Sequence, residues 1–396
     1  MPRAEPDGHW REVFLAFLRL GCIAFGGPVA HLGYFREAFV DRRRWLDERA
    51  YGELVALAQF LPGPASSQVG MALGLTRAGL PGALAAWLGF TLPSALIMVG
   101  VAAGFVAAQD MLGSGWLHGL KIAAVAVVAR ALWGMASRLC PDASRASFAV
   151  AAAVVVTALP GAVGQLGAIA LAAVGGALLL RRHAAAPEAS ELPVPLGRAT
   201  GAAMLAVFAV LLAALPALAA VADGTWLTIA DAAYRAGALV FGGGHVVLPL
   251  LQAEVVPTGL LDRASFLAGY GAAQALPGPL FTFGGYLGTA IGGAAGALAG
   301  LIGIFLPGFL LMLGALPFWA TLRRYTTAAA ALTGVNAGVV GLLAAALHDP
   351  VWTSTIHRPA DFAVALTAFL LLTAWRVPPA VVVGLCALAG GGLAAL

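Results

Sequence analysis

Two runs of glycine and proline occur twice in this chain, and they are the residues best suited to holding a charged ligand. Phe25-Gly26-Gly27-Pro28 returns as Phe241-Gly242-Gly243-Gly244, and Gln59-Phe60-Leu61-Pro62-Gly63-Pro64 returns as Gln274-Ala275-Leu276-Pro277-Gly278-Pro279, about 215 positions later. Gly26, Gly27, Gly242, Gly243 and Gly244 let the backbone approach a ligand with no Cβ in the way, and Gly63 and Gly278 stand at the second pair of breaks. Proline has no N–H to lose at the first position of a helix, so Pro28, Pro64 and Pro279 are placed to begin one. The next N–H groups then point unpaired from the positive end of a helix dipole, an arrangement that binds anions. Ser66, Ser67 and Thr282 add hydroxyl donors in that first turn. Gln59 and Gln274 stand three residues before the first proline of each break, where they line a cavity or bond a neighbouring helix.

Charges near the breaks extend this reading. Arg19 and Arg235 lie six residues before their glycine runs, roughly 9 Å along a helix. They are candidates for the cationic part of a dianion site, with snorkelling to the interface as the alternative. Lys121 and Asn336 occupy equivalent positions in apolar segments and are candidate cavity-lining groups. His31 and His245 follow their tips without aligning with each other, and either could carry a coupling proton or serve as a satisfied structural histidine. Glu53 and Glu254 are weaker proton-carrier candidates. The glycines of Gly284-Gly285-Tyr286-Leu287-Gly288 and Gly292-Gly293-Ala294-Ala295-Gly296 read as packing residues.

The elements that position these groups must lie in a membrane. With 61% hydrophobic and 10% charged residues and a mean hydropathy of +0.92, the chain has more apolar surface than a soluble protein can hide. The polar opening Met1 to Gly8 is expected to carry no cleavable signal. Cys22, Cys140 and Cys386 stand alone, which argues against a disulfide framework or a metal site. The net charge of +4 comes from arginines at loops and helix ends with one lysine, and no basic patch interleaved with aromatics points to nucleic acid. Neither a phosphate-binding GxxxxGK[ST] loop nor a nucleophile motif is present, so an ATP-driven pump and a membrane-embedded enzyme are both disfavoured, and no cofactor is expected.

Apolar segments of spanning length fall near 82–109, 116–138, 162–181, 199–221, 294–318 and 327–347, with shorter ones at 146–160, 361–374 and 377–396. The arms flanking the breaks, 12–24 and 28–40, then 48–61 and 64–78, reach only roughly 20 Å as helix, which predicts re-entrant hairpins. Arginine placement sets orientation. Arg36, Arg42, Arg43, Arg44 and Arg49 crowd the first copy's inter-hairpin link, with Arg138, Arg145, Arg181, Arg182 and Arg198 in other loops; in the second copy Arg323, Arg324 and Arg376 fill the loops that were bare before. Arg358 is the exception. The expected fold is therefore an all-α polytopic membrane protein of two homologous inverted repeats, 1–182 and 227–396. Each has two re-entrant hairpins plus about four spanning helices, and segment 183–226 supplies one extra crossing.

Phe25-Gly26-Gly27-Pro28, Trp45-Leu46, Leu61-Pro62-Gly63-Pro64, Phe241 to His245 and Pro277 to Phe283 resemble the chromate ion transporter family in its long, two-domain form. The resemblance implies efflux of chromate across a bacterial inner membrane, driven by the membrane potential or a proton gradient and conferring chromate resistance, with sulfate as a competing isosteric dianion. Gly244 in place of Pro28, and a non-aromatic residue in place of Trp45, imply unequal contributions from the halves. A secondary transporter is the leading expectation; a passive anion channel, or a carrier whose physiological substrate is sulfate or another oxyanion, is the alternative. The expected partners are the oxyanion and the lipid bilayer, and a homodimer is compatible with the pattern.

Overall fold

The computed structural model of the chain describes residues 8–25, 27–108, 114–159, 162–180, 195–222, 224–241, 246–322 and 325–395. The predicted site residues Gly26, Gly242, Gly243, Gly244 and His245 lie outside the described residues, as do Arg181, Arg182, Arg323 and Arg324.

All regular structure among the described residues is helical, and it runs twice through one series. The first passage is α1 (Trp10–Ile23), α2 (Gly27–Phe35, continued as a π-helical stretch Arg36–Arg42), α3 (Glu48–Phe60), α4 (Ala65–Ala108), α5 (Ser114–Leu139), α6 (Ala143–Ala158) and α7 (Ala162–Leu179). After α8 (Arg198–Val221) the series returns as α9 (Thr225–Leu239), α10 (Val247–Val255), α11 (Arg263–Ala273), α12 (Phe283–Ala315, extended by α13, Trp319–Leu322), α14 (Thr326–Ala346), α15 (Pro359–Thr373) and α16 (Pro379–Ala395).

Local chemistry accounts for the matched boundaries. Asp47 caps α3 by accepting from the Ala50 N–H at 2.7 Å, and its counterpart Asp262 caps α11 by accepting from Ser265 at 2.9 Å, which satisfies one orphan donor at each helix start. Helices α1 and α9 both stop where the chain turns extended, at Ala24 and Val240. Helices α4 and α12 break at equivalent points: Ala78 and Gly79 have φ of −143° and +65°, and Gly292 and Gly293 have −138° and +59°. Each long helix folds back there. Gly74 lies against Gly82 within α4, and in α12 Gly288 lies against Gly296 and Gly284 against Gly300, so closely that a Cβ would strike the facing backbone. Small residues thus permit the contact, as in close membrane helix pairs.

Among the described residues, five helical stretches are long and apolar enough to cross a membrane: Ala65–Gly104, Gly115–Leu139, Arg198–Val221, Leu280–Leu322 and Thr326–Trp352. Shorter apolar helices cover Ala143–Ala158, Val163–Leu179, Pro359–Thr373 and Pro379–Leu393. The chain is a multi-pass membrane protein. Arms α1, α2 and α3, of 14, 9 and 13 residues, are shorter than the roughly 20 residues a crossing needs. Helix α8 joins the two passages and packs on α12 and α9 along one side, with Gly201 its one fully buried residue and the rest exposed or half-buried, as expected of a helix partly solvated by lipid.

The two passages exchange parts. Helix α5 of the first packs on α15 and α16 of the second, while α14 packs on α6 and α7. Matched glycines make both contacts close: Gly119 meets Gly390, and Gly334 meets Gly176. Helices α4 and α12 pack on each other at the centre. One core gathers Phe17, Phe35, Phe39 and Phe90 from the first passage, and another gathers Phe266, Tyr270, Phe283 and Tyr286 from the second.

Candidate functional site

The proline-glycine breaks are tied across the passages. The Gly63 N–H donates to the Val240 carbonyl at 2.7 Å, and the Gly278 N–H donates to the Ala24 carbonyl at 2.9 Å. These are equivalent bonds, each running from the Pro-Gly-Pro break of one passage to the residue where the other's first arm ends. Both glycines are in the left-handed region, at φ of +127° and +86°, where a side chain costs strain. Space forbids one as well: a Cβ on Gly278 would sit 3.2 Å from the Phe90 carbonyl oxygen, and one on Gly63 would sit 3.1 Å from the Gly308 Cα. The amides of Gly63 and Gly278 therefore hold the breaks together.

Around these breaks lies a cavity of about 470 Å³. Gly27, Pro28, Gln59, Gly63 and Ala65 line it from the first passage, and Gln274, Gly278 and Leu280 from the second. Ala65 belongs to the first turn of α4, whose N–H groups have no intrahelical acceptor. One stripe of α5 forms a further wall: Val127, Arg130, Ala131, Gly134, Met135 and Arg138, with Asn336 of α14 contributing as well. Arg130 is half-buried and Arg138 exposed. Among the described residues the lining includes these two guanidinium groups and no carboxylate. Among the described residues neither arginine joins an ion pair, whereas Arg36, Arg42, Arg77, Arg145, Arg235 and Arg263 all do. The buried Asn336 Oδ1 also has no protein partner among the described residues.

Of the predicted binding residues, Gly27, Pro28, Gln59, Gly63, Gln274, Gly278 and Asn336 come together on this cavity. Others are engaged elsewhere. Arg235 bonds Asp231 and Glu254, each at 2.7 Å, so its charge and that of the proton-carrier candidate Glu254 are both taken up. Arg19 is exposed and Lys121 half-buried, and neither lines the cavity. Ser67 is buried with an unpartnered hydroxyl. The Thr282 hydroxyl donates to the Pro279 carbonyl at 2.9 Å, while Glu53 accepts from the Trp319 indole N–H at 2.6 Å, joining α3 to α13.

His31 is buried, with Nε2 3.1 Å from the Ala24 carbonyl and Nδ1 3.2 Å from the Ser66 hydroxyl. A carbonyl accepts only, so Nε2 carries the proton and Nδ1 accepts from Ser66. One neutral tautomer satisfies both bonds, and the Ser66 hydroxyl is spent in the same arrangement.

Sequence reasoning passed over Arg130 and used Arg138 only as a loop marker. Their signal was present: an arginine within an apolar spanning segment is a functional-site candidate by default, and the stripe from Val127 to Arg138 recurs at helical spacing.

The chromate transporter family model matches this chain twice, over residues 11–181 and 227–391. The chromate transport protein of Pseudomonas aeruginosa is 31% identical over 381 residues, covering 94% of this chain and 89% of that protein. The probable chromate transport protein of Synechococcus elongatus is 28% identical, with 98% and 96% covered, and the chromate transport protein of Cupriavidus metallidurans is 26% identical, with 97% and 93% covered. No solved structure matches. Two copies of one module, each closing its Pro-Gly-Pro break onto the other, are what a match in two segments means in three dimensions: the chain belongs to the chromate transporter family.

Proposed function

We propose that this protein is a secondary active transporter that exports chromate across the cytoplasmic membrane, binding the dianion in the cavity between the two passages, with sulfate as a competing analogue. The observation that carries the reading is a cavity where the breaks of both passages meet, its largely apolar wall carrying two arginines, three amide side chains and, among the described residues, no carboxylate. Such a lining repels cations and favours a compact oxyanion. Gln59, Gln274 and Asn336 supply amide groups of the kind that replace a hydration shell.

An inverted pair of repeats is supported by the matched fold-backs, by the exchanged packing of α5 and α14, and by α8 as an odd crossing between them. In the charge scheme read from the sequence, the mouth near Arg138 is cytoplasmic, which suits loading for export. A carrier is favoured over a channel because the equivalent wall on the other side is packed shut. Leu32, Ala131 and Met135 line the cavity, while their counterparts Leu248, Ala346 and Pro350 are buried. Counterflow in proteoliposomes tests this: labelled chromate accumulates against its gradient when unlabelled chromate or sulfate is trapped on the opposite side. Simple dissipation of the gradient would instead identify a channel.

A further inference from the structure

We infer that Arg130 and Arg138 of α5 are the counter-charges that select a doubly charged oxyanion, Arg138 capturing it at the mouth and Arg130 holding it beside the breaks. The inference rests on the transport reading above and supplies the charge that Arg235, bound to two carboxylates, does not.

Three observations converge. Both guanidinium groups line the cavity, which holds no described carboxylate, so its formal charge is +2. Neither meets an acid elsewhere among the described residues, although most of the described acidic side chains are in ion pairs. An arginine fork left unpaired in a membrane interior is costly, and a tetrahedral dianion, which offers several acceptor oxygens, is the ligand that offsets two such charges together. Their depths differ as the two roles require: Arg138 is exposed, and Arg130, eight residues earlier and about 12 Å along the helix, is half-buried. Gln274 of the other passage lines the same cavity.

Gly134 allows a test that deletes neither arginine. It lines the cavity one helical turn from both, and a Cβ there meets nothing within 4 Å. Gly134→Glu places a carboxylate at i+4 to Arg130 and i−4 to Arg138, where it pairs with them, whereas Gly134→Gln adds the same bulk without charge. The experiment measures binding of radiolabelled chromate to the purified full-length protein, with sulfate (divalent) and perchlorate (monovalent) as tetrahedral competitors. Gly134→Glu and Arg130→Gln are expected to weaken chromate binding about ten- to one-hundredfold and to bring the sulfate and perchlorate inhibition constants together. Gly134→Gln keeps the parent preference for the divalent competitor, and Arg130→Lys restores it at reduced affinity. Arg138→Gln weakens binding more at low salt than at high salt.

Gly134→Glu and Arg130→Gln proteins that still bind chromate like the parent, with the divalent preference intact, overturn the inference and leave the transport reading standing. A parent that ignores chromate and sulfate yet binds another dianion, such as hydrogen phosphate, in an Arg130-dependent way overturns the chromate reading and leaves the inference standing. A parent that binds no oxyanion overturns both.

Discussion

Helices α5 and α14 hold equivalent positions in the two passages, and their chemistry has separated. Along α5 stand Lys121, Arg130 and Arg138; the matching positions in the second passage are Asn336, Ala345 and Thr353. The α5 wall beside the breaks is open at Ala131 and Met135, whereas their counterparts in the second passage, Ala346 and Pro350, are buried. Duplication supplied two copies of the breaks and of the bonds that lock them. Divergence left the cavity-facing cations on one helix and no cation at the matching positions of its counterpart. The carrier proposed above needs such a difference in any one state, because two open walls at once would leave a pore.

The parts that remained equivalent should be the most fragile. Gly278→Val adds a branched side chain at φ of +86° beside the Phe90 carbonyl, and we expect chromate flux in proteoliposomes to fall at least about one-hundredfold. Gly63→Val should act alike, and a large disparity between the two would break the equivalence.

Arg235→Ala comes next and should act on stability. It strips the partner from Asp231 and Glu254, whose side chains are 7% and 15% exposed, at about 2–4 kcal/mol. Thermal unfolding in detergent should show the loss, and Arg235→Ala combined with Glu254→Gln should recover part of it. A variant of parental stability with impaired chromate affinity would return Arg235 to the binding site.

Asn336→Lys gives the second passage the cation of the first and adds a charge to the cavity. Chromate should bind several-fold more tightly and turn over more slowly, since a third cation stabilises the loaded state; equilibrium binding and counterflow rate measure the two effects. The smallest effect is predicted for His31→Gln. It removes a satisfied pair of hydrogen bonds at about 1–2 kcal/mol and should leave the pH dependence of transport unchanged. A flattened pH profile would instead make His31 a proton carrier.

Much of the architecture was legible before any coordinates. Hydropathy and the duplicated breaks anticipated the short arms, which run over 10–23, 48–60 and 65–77, and the order of helices in both passages. The capping contacts of Asp47 and Asp262 join residues three apart, a local signal the chain carried although it was not read as a cap. The cavity lining was legible in part: Gln59, Gly63, Gln274 and Gly278 reach it, while Arg19 and Arg235 do not. Arg235 has one partner a single helical turn away in Asp231, a pairing written in the spacing, whereas Glu254 arrives from the next arm.

The amino-acid order alone therefore dictated a membrane-embedded, duplicated, glycine- and proline-interrupted chain, because burial of apolar surface, capping and helix breaking act between near neighbours. Which groups share the cavity was decided only when Gly63 met Val240 and Gly278 met Ala24. Those bonds join residues far apart in the chain, and no local preference encodes which way an arginine on α5 or α9 will face once the helices have packed.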